Sequence, residues 1–501
     1  MFETLEIGRK LKRKEFNEAE LELRQRLLQL QFELEKRDFP VIVIVSGVEG
    51  AGKGSVVHRI NEWMDPRLIE TNAFWDHSDE EESRPFYWRF WRSMPAKGRT
   101  GIFFGSWYTW PIINRALGNS SDADLKVEMQ RIDEFERMLT DDGALVIKLW
   151  FHMSMESAAQ RLEEESRRNL AGVEIPKNKK ELAERYDEFK RISEMAIRLT
   201  DTNYAPWHLI EAEDKNYREI TAGEIIKSCL EARLAAEPSS PPAPALVKRG
   251  NGGQPTILDT IDTSVSLEAK EYKEALEKYQ RRLEKLSWEA REKGVACVAV
   301  FEGWDAAGKG SAIRRVTQAI DPRLFHLVQF AAPTDEERAH HYLWRFWRQL
   351  GRDGKFTLFD RSWYGRVLVE RVEGFARDDQ WQRAYAEINR FEEHLADHGS
   401  AVMKFWIHIS QEEQLARFEQ RKETPHKAHK ITDEDWRNRE KWHDYELAVH
   451  DMITHTSTLH APWTIVPGND KRYARIEILR TFCKQLEKAL AKKDPQSDPD
   501  H

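Results

Sequence analysis

Apolar residues in this chain fall into short unbroken runs set between long charged stretches. Val41-Ile42-Val43-Ile44-Val45 and Val295-Ala296-Cys297-Val298-Ala299-Val300 each suit one fully buried strand. Each follows a charged segment with apolar positions at helical spacing, Arg13 to Lys36 and Lys270 to Lys293, which predicts a long surface helix. Phe356-Thr357-Leu358-Phe359 and Ala401-Val402-Met403-Lys404-Phe405-Trp406-Ile407 read as further strands. Strands that alternate with helices predict an α/β fold, a parallel sheet covered by helices on both faces. Ligands of such sheets bind beyond the carboxyl ends of the strands. The stripe Tyr342, Trp344, Phe346, Trp347 reads as core.

The pattern occurs twice, 256 residues apart. Gly47-Val48-Glu49-Gly50-Ala51-Gly52-Lys53-Gly54-Ser55 pairs with Gly303-Trp304-Asp305-Ala306-Ala307-Gly308-Lys309-Gly310-Ser311. Asp65-Pro66-Arg67, Trp88 to Arg92, Ser106-Trp107-Tyr108, Ala205-Pro206-Trp207 and Asp214-Lys215 all have partners at the same offset. A constant offset over so long a stretch implies tandem duplication of a whole domain. The expected division is a first domain over 1–234, a linker over 235–262, a second domain over 263–490 and a tail over 491–501. The linker reading rests on the Pro-, Gly- and Ser-rich run from Ala235 to Gly253.

Composition narrows the function. With a net charge of −8, the chain has no overall positive field to favour nucleic acid, so any polyanion needs a local basic groove. Three cysteines, Cys229, Cys297 and Cys483, lack metal or disulfide spacing. No apolar run approaches the ~20 residues of a membrane span, and the chain starts with no secretory signal, so a cytoplasmic protein is expected. A homo-oligomer stays open.

A buried strand, a Gly-rich turn and Gly-Lys-Gly-Ser opening a helix make a phosphate-binding P-loop, whose backbone N–H groups converge at a helix N-terminus. Gly303, Ala306, Gly308, Gly310 and Ser311 form that cradle in the second half, with Lys309 for phosphate. Gly310 stands where the motif has its metal-binding Ser or Thr. Asp305 inside the loop would repel phosphates unless a cation lay between, which argues for Mg²⁺ at Asp305. Leu358-Phe359-Asp360-Arg361 has the form of a strand ending in a Mg²⁺-binding Asp, followed by an Arg able to neutralise moving charge.

These motifs, with Asp321-Pro322-Arg323, Tyr342-Leu343-Trp344-Arg345 and Asp360-Arg361-Ser362-Trp363-Tyr364-Gly365-Arg366, resemble polyphosphate kinase family 2. The run Glu412 to Trp442 is similar to that family's helical lid, and nearly all of 265–490 is covered. Gly365 departs from the pattern, where Asn is frequent. The resemblance implies tandem P-loop kinase-like domains and Mg²⁺-dependent phosphoryl transfer from inorganic polyphosphate to AMP, as in fused polyphosphate:AMP phosphotransferases. It also implies Asp305 and Asp360 as metal ligands, Lys309 and Arg361 as catalytic groups, and Arg366, Arg417 and Arg421 on phosphate. The alternatives are an ATP-dependent nucleotide kinase of thymidylate-kinase-like type, a polyphosphate-dependent nucleoside diphosphate kinase, or a switch without turnover. Asp305 and Gly310 tell against the first of these.

The first half has lost this chemistry. The offset sets Phe104 against Asp360, Gly105 against Arg361, Glu49 against Asp305, Glu165 against Arg421 and Glu181 against Arg437. Lys53 and Arg161 remain. An inactive domain kept for its fold is the expectation.

Overall fold

The computed structural model describes residues 1–168, 184–236, 255–423 and 433–493. Residues 424–432 of the expected lid, Glu181 (the first-half counterpart of Arg437), most of the linker and most of the tail lie outside the described residues. Two compact units form: Met1–His77 with Arg89–Pro241 and Asp335–His341, and Ser78–Trp88 with Pro242–Thr334 and Tyr342–His501. Most of each unit therefore comes from one half of the sequence.

In the first unit, helix α1 (Arg13–Leu34) leads to strand β1 (Val41–Gly47), and α2 (Lys53–Trp63) follows. Then come β2 (Ile69–Ala73), β3 (Thr100–Phe104), α3 (Asp122–Asp141), β4 (Leu145–His152), α4 (Met155–Arg168), α5 (Tyr186–Thr200), β5 (Trp207–Glu211) and α6 (Lys215–Ala235). The second unit repeats the order with α7 (Ala269–Glu292), β6 (Cys297–Gly303), α8 (Lys309–Thr317), β7 (Phe325–Gln329), β8 (Phe356–Asp360) and α9 (Asp378–Asp397). It continues with β9 (Ala401–His408), α10 (Gln411–Glu423), α11 (Asp433–Glu440), α12 (Trp442–Thr456), β10 (Trp463–Pro467) and α13 (Lys471–Lys492). Each unit holds a five-stranded sheet, β2-β3-β1-β4-β5 and β7-β8-β6-β9-β10, and the registered pairs are parallel.

The P-loop strands sit at the centre of each sheet, which is why β1 and β6 are apolar without alternation. The edge strands β2 and β7 are largely exposed and gave no apolar run to read. Phe346 packs edge-on against Phe330 and Trp363 (4.5 and 5.7 Å), so the aromatic stripe is core. No described helix is long and apolar enough to cross a membrane.

One polar network is buried in each unit. Lys404, on β9, donates to Glu392 Oε2 on α9 (2.7 Å), Tyr364 Oη (2.8 Å) and the Thr456 carbonyl on α12 (2.6 Å). Trp363 Nε1 and Tyr364 Oη donate to Glu392 Oε1 at 3.0 and 2.6 Å. Lys148, Glu136, Trp107, Tyr108 and Thr200 repeat the arrangement, with Lys148 to Glu136 again at 2.7 Å. Both lysines and both glutamates are fully covered, and burial pushes each lysine's pKa down against its glutamate's pull. Three donors of the ammonium meet three acceptors, so the charge is tolerated.

Removing one partner strands the other charge. Lys404→Met is expected to lower unfolding stability by about 3–5 kcal/mol, and adding Glu392→Leu to recover much of that, measured by urea denaturation.

Candidate active site

The site of the second unit lies past the ends of β6 and β8, strands paired so that Phe301 stands beside Asp360. Residues 303 to 308 form the loop, and Lys309 opens α8. Trp304 holds this loop down: its ring stacks on Trp442 of α12 at 3.7 Å, and its Nε1 donates to His408 Nδ1 at 3.0 Å. Lys309 Nζ donates to the carbonyls of Gly303 (2.6 Å) and Trp304 (3.3 Å).

Asp305 faces both Arg361 and the lid-like helices. Its Oδ1 is 3.9 Å from Arg361 Nη2, and its Oδ2 accepts from Asn438 Nδ2 at 2.8 Å. Tyr445 Oη donates to Asn438 Oδ1 (3.1 Å), which orients that amide, and Gln414 donates to the Asp305 carbonyl (3.2 Å). Glu302 at the end of β6 accepts from Ser362 Oγ at 2.8 Å. Burial pushes the Glu302 carboxyl up, while Lys309 and Arg361 pull it down and Asp360 pushes it further up. Those three side chains therefore act on one buried carboxyl and share one neighbourhood. The Asp360 carboxylate takes no hydrogen bond or ion pair from any described residue.

Arg361 has φ +65°, in the left-handed region that side chains with a Cβ avoid. Its first-unit counterpart is Gly105 at φ +78°, where a Cβ would lie 2.4 Å from the Phe74 carbonyl. The backbone turn is common to both units; only the second accepts strain to present a guanidinium there.

The other expected phosphate ligands divide. Arg417 spends its five N–H groups on protein: Nε on Glu413, Nη1 on the carbonyls of Ala306 and Ala307, Nη2 on those of Gly468 and Asn469. Arg161 clamps the first loop alike, donating to the carbonyls of Gly50, Ala212 and Glu213. Arg417 thus meets the loop through its carbonyls, with no donor left over. Arg366 pairs with Glu370 at 3.1 Å and lies over the Tyr342 ring. Ser311 Oγ accepts from Arg475 Nε at 2.8 Å. Gly308 and Gly310 keep space free, with nothing within 4 Å of a Cβ at either position.

Arg421 has no carboxylate partner among the described residues, and the pKa of Lys471 is pushed down by burial and by Arg417, Arg421 and Arg475 nearby. These cations concentrate positive charge beside the loop of a net acidic protein. Sequence reasoning missed Glu302, Asn438, Arg475 and Lys471 as site residues. A signal existed for two of them: the offset sets Glu302 against Ser46 and Arg475 against Glu219, both changes of charge. Among the described residues no group of three or more His, Cys, Asp or Glu could hold a metal alone. Asp305 and Asp360 offer carboxylate oxygens, the donor type that hard cations take.

Two outcomes test this geometry. Replacing Arg361 by Gly relieves the left-handed strain and is expected to stabilise the protein by about 1 kcal/mol, read from the urea midpoint. Burial pushes the His408 pKa down to about 4, below the ordinary ~6.5. The unfolded chain then binds a proton that the folded chain excludes, so stability present above pH 6.5 falls as pH drops and is lost by about pH 4. The loss is up to about 3 kcal/mol. His408→Gln is expected to flatten that part of the pH–stability curve.

Comparison with known proteins places the whole chain in one family. The family Polyphosphate kinase 2 (PPK2) matches twice, over residues 10–238 and 266–494. A polyphosphate:AMP phosphotransferase of Pseudomonas aeruginosa is 48% identical over 497 residues, covering 98% of this chain and 100% of that protein. One from Acinetobacter johnsonii is 39% identical over 455 residues, covering 89% and 90%. A solved chain from Pseudomonas aeruginosa PA01, named for polyphosphate kinase 2, superposes with a TM-score of 0.87 at 47% identity over 99% of this chain and 100% of its own. With both halves matched by the family and a relative 48% identical over nearly the whole chain, the chain belongs to the polyphosphate kinase 2 family.

Proposed function

We propose that the second unit transfers a phosphoryl group from inorganic polyphosphate to AMP, giving ADP, and that it does so with Mg²⁺. The observation that carries this reading is the meeting of Asp305, Lys309, Asp360 and Arg361 at one strand-end loop beside an excess of cations. The names of full-length relatives point to the same two substrates.

Phosphoryl transfer asks the protein for position and charge, and no covalent nucleophile. The loop amides from Gly303 to Ser311 bind the phosphate being transferred, and Lys309 swings from the loop carbonyls to grip it. Arg361, already turned toward Asp305, neutralises charge that develops on the transferred group. Lys471, Arg421 and Arg475 receive the rest of the polyphosphate chain, where anions relieve their mutual repulsion. Arg417 positions the loop, while Arg366 is tied to Glu370. Asp305 and Asp360 would hold the metal, which would supply neutralisation of phosphate charge. Asn438 sets the Asp305 carboxylate and reports lid position to the loop. The first unit, with Phe104 and Gly105 at the key positions, does not turn over. A cytoplasmic location suits a nucleotide substrate.

Protein incubated with Mg²⁺, AMP and long-chain polyphosphate, without ATP, is expected to form ADP. ADP formed only when ATP is the donor would overturn the reading in favour of an ATP-dependent kinase. Asp360→Asn is expected to lower the rate roughly 10²–10³-fold or more while the unfolding midpoint holds. A near-normal rate would remove Asp360 from the site.

A further inference from the structure

The place in the first unit that corresponds to the charged centre is an apolar cavity of about 100 Å³. The 256-residue offset shows what replaced the chemistry. Among its lining residues, Phe104 stands for Asp360, Gly105 for Arg361, Trp75 for Ala331, Met155 for Gln411, Ala158 for Gln414 and Ser46 for Glu302. The space itself has an origin. In the second unit Trp304 and Trp442 stack at 3.7 Å and fill this position, whereas the first unit has the smaller Val48 and Tyr186, both on the cavity wall.

The loop on the cavity wall is also more crowded than its counterpart, although Lys53 bonds to the loop carbonyls just as Lys309 does. Lys53 Nζ donates to the carbonyls of Gly47 and Val48 (2.9 and 3.0 Å) and lies 3.5 Å from Glu49, which neutralises it. The Arg218 guanidinium presses on the start of α2, donating to Ser55 Oγ at 2.9 Å, and a Cβ at Gly52 would lie 2.3 Å from its Nη2. At the equivalent Gly308 nothing lies within 4 Å. What remains is a slot walled by rings: Phe104 meets Trp75 edge-on at 5.1 Å, and Phe189 lies nearly parallel to Trp150. Trp75 and Met155 are 47% and 55% exposed, an unusual state for such large apolar side chains.

We propose that the first unit has exchanged phosphate chemistry for a binding site that takes a small, uncharged, apolar ring compound. The volume suits about one six-membered ring, since a cavity on the order of 150 Å³ lined by apolar side chains accepts benzene. Flat aromatic walls favour a flat guest in stacked or edge-on contact. The lining is mostly apolar, and its polar members Glu49, Lys53 and Thr109 already bond within the protein, so a guest with several polar edges would lose water for few partners.

The full chain titrated with 4-fluorophenol, followed by ¹⁹F NMR, is expected to bind with a Kd on the order of 1 mM or tighter. Phe104→Asp, the second unit's residue at that place, is expected to weaken binding at least tenfold. Ala159→Leu, which adds bulk at the wall with the residue found at 415, is expected to do the same and keeps the lining apolar should the aspartate disturb folding. Asp360→Asn, in the other unit, is expected to leave the titration unchanged. Uracil, a ring of similar size with polar edges, is expected not to bind. The proposal is overturned if 4-fluorophenol does not bind, if Ala159→Leu leaves its affinity intact, if Asp360→Asn abolishes it, or if uracil binds as well.

Discussion

A buried lysine decides how each unit is assembled. Lys404 sits on an internal strand with no water to solvate it, so its three protons must find acceptors at fixed places. Those acceptors come from α9, from the turn after β8 and from the end of α12. An ammonium that tolerates no missing partner therefore locks three segments distant in sequence to the sheet. The turn it locks is the one that carries Asp360 and Arg361, because Trp363 and Tyr364 follow directly and share Glu392. Site geometry is thus set from beneath by a polar network that touches no substrate-facing atom. The same four groups recur around Lys148, and the first unit keeps the fold without the chemistry.

The two units separate what a P-loop fold needs from what catalysis needs. Retained in both are the central strand, the loop, its lysine, the arginine clamp on the loop carbonyls and the buried network. Arg161 and Arg417 show that an arginine near a phosphate loop can serve the loop's own backbone. Lost from the first unit are the groups with no structural duty: the strand-end carboxylate and the guanidinium on the strained turn. Strain at Arg361 makes sense only where its charge is used. Once that use is gone, glycine relieves the backbone and apolar residues can occupy the centre.

Much of the candidate site was legible because a phosphate-binding loop and a strand-end Asp-Arg pair occupy short contiguous runs. Gly303 to Ser311 and Leu358 to Arg366 announce themselves, and the central strands are apolar throughout. The residues that were not legible act across the fold. Asn438 and Gln414 reach the loop from helices more than a hundred residues away, and Arg475 reaches Ser311 from the last helix. An arginine in a basic run also looks the same whether it faces phosphate or carbonyls, and Arg417 was read as the former. Lys404 and Glu392, within a strand and a helix, carried no mark of the ion pair that joins them.

The chain's letters by themselves determined the duplication, the strand–loop–helix grammar of each copy, and which copy kept an Asp-Arg pair at the strand end. These are properties of local spacing, and the chain cannot hide them. Tertiary structure alone decided which donors are spent on the protein and which are left for a ligand, because hydrogen-bond partners are chosen in space. It alone decided, too, that losing three charged positions and two tryptophans would leave a cavity. Whether a smaller side chain opens space depends on what its neighbours across the fold can fill.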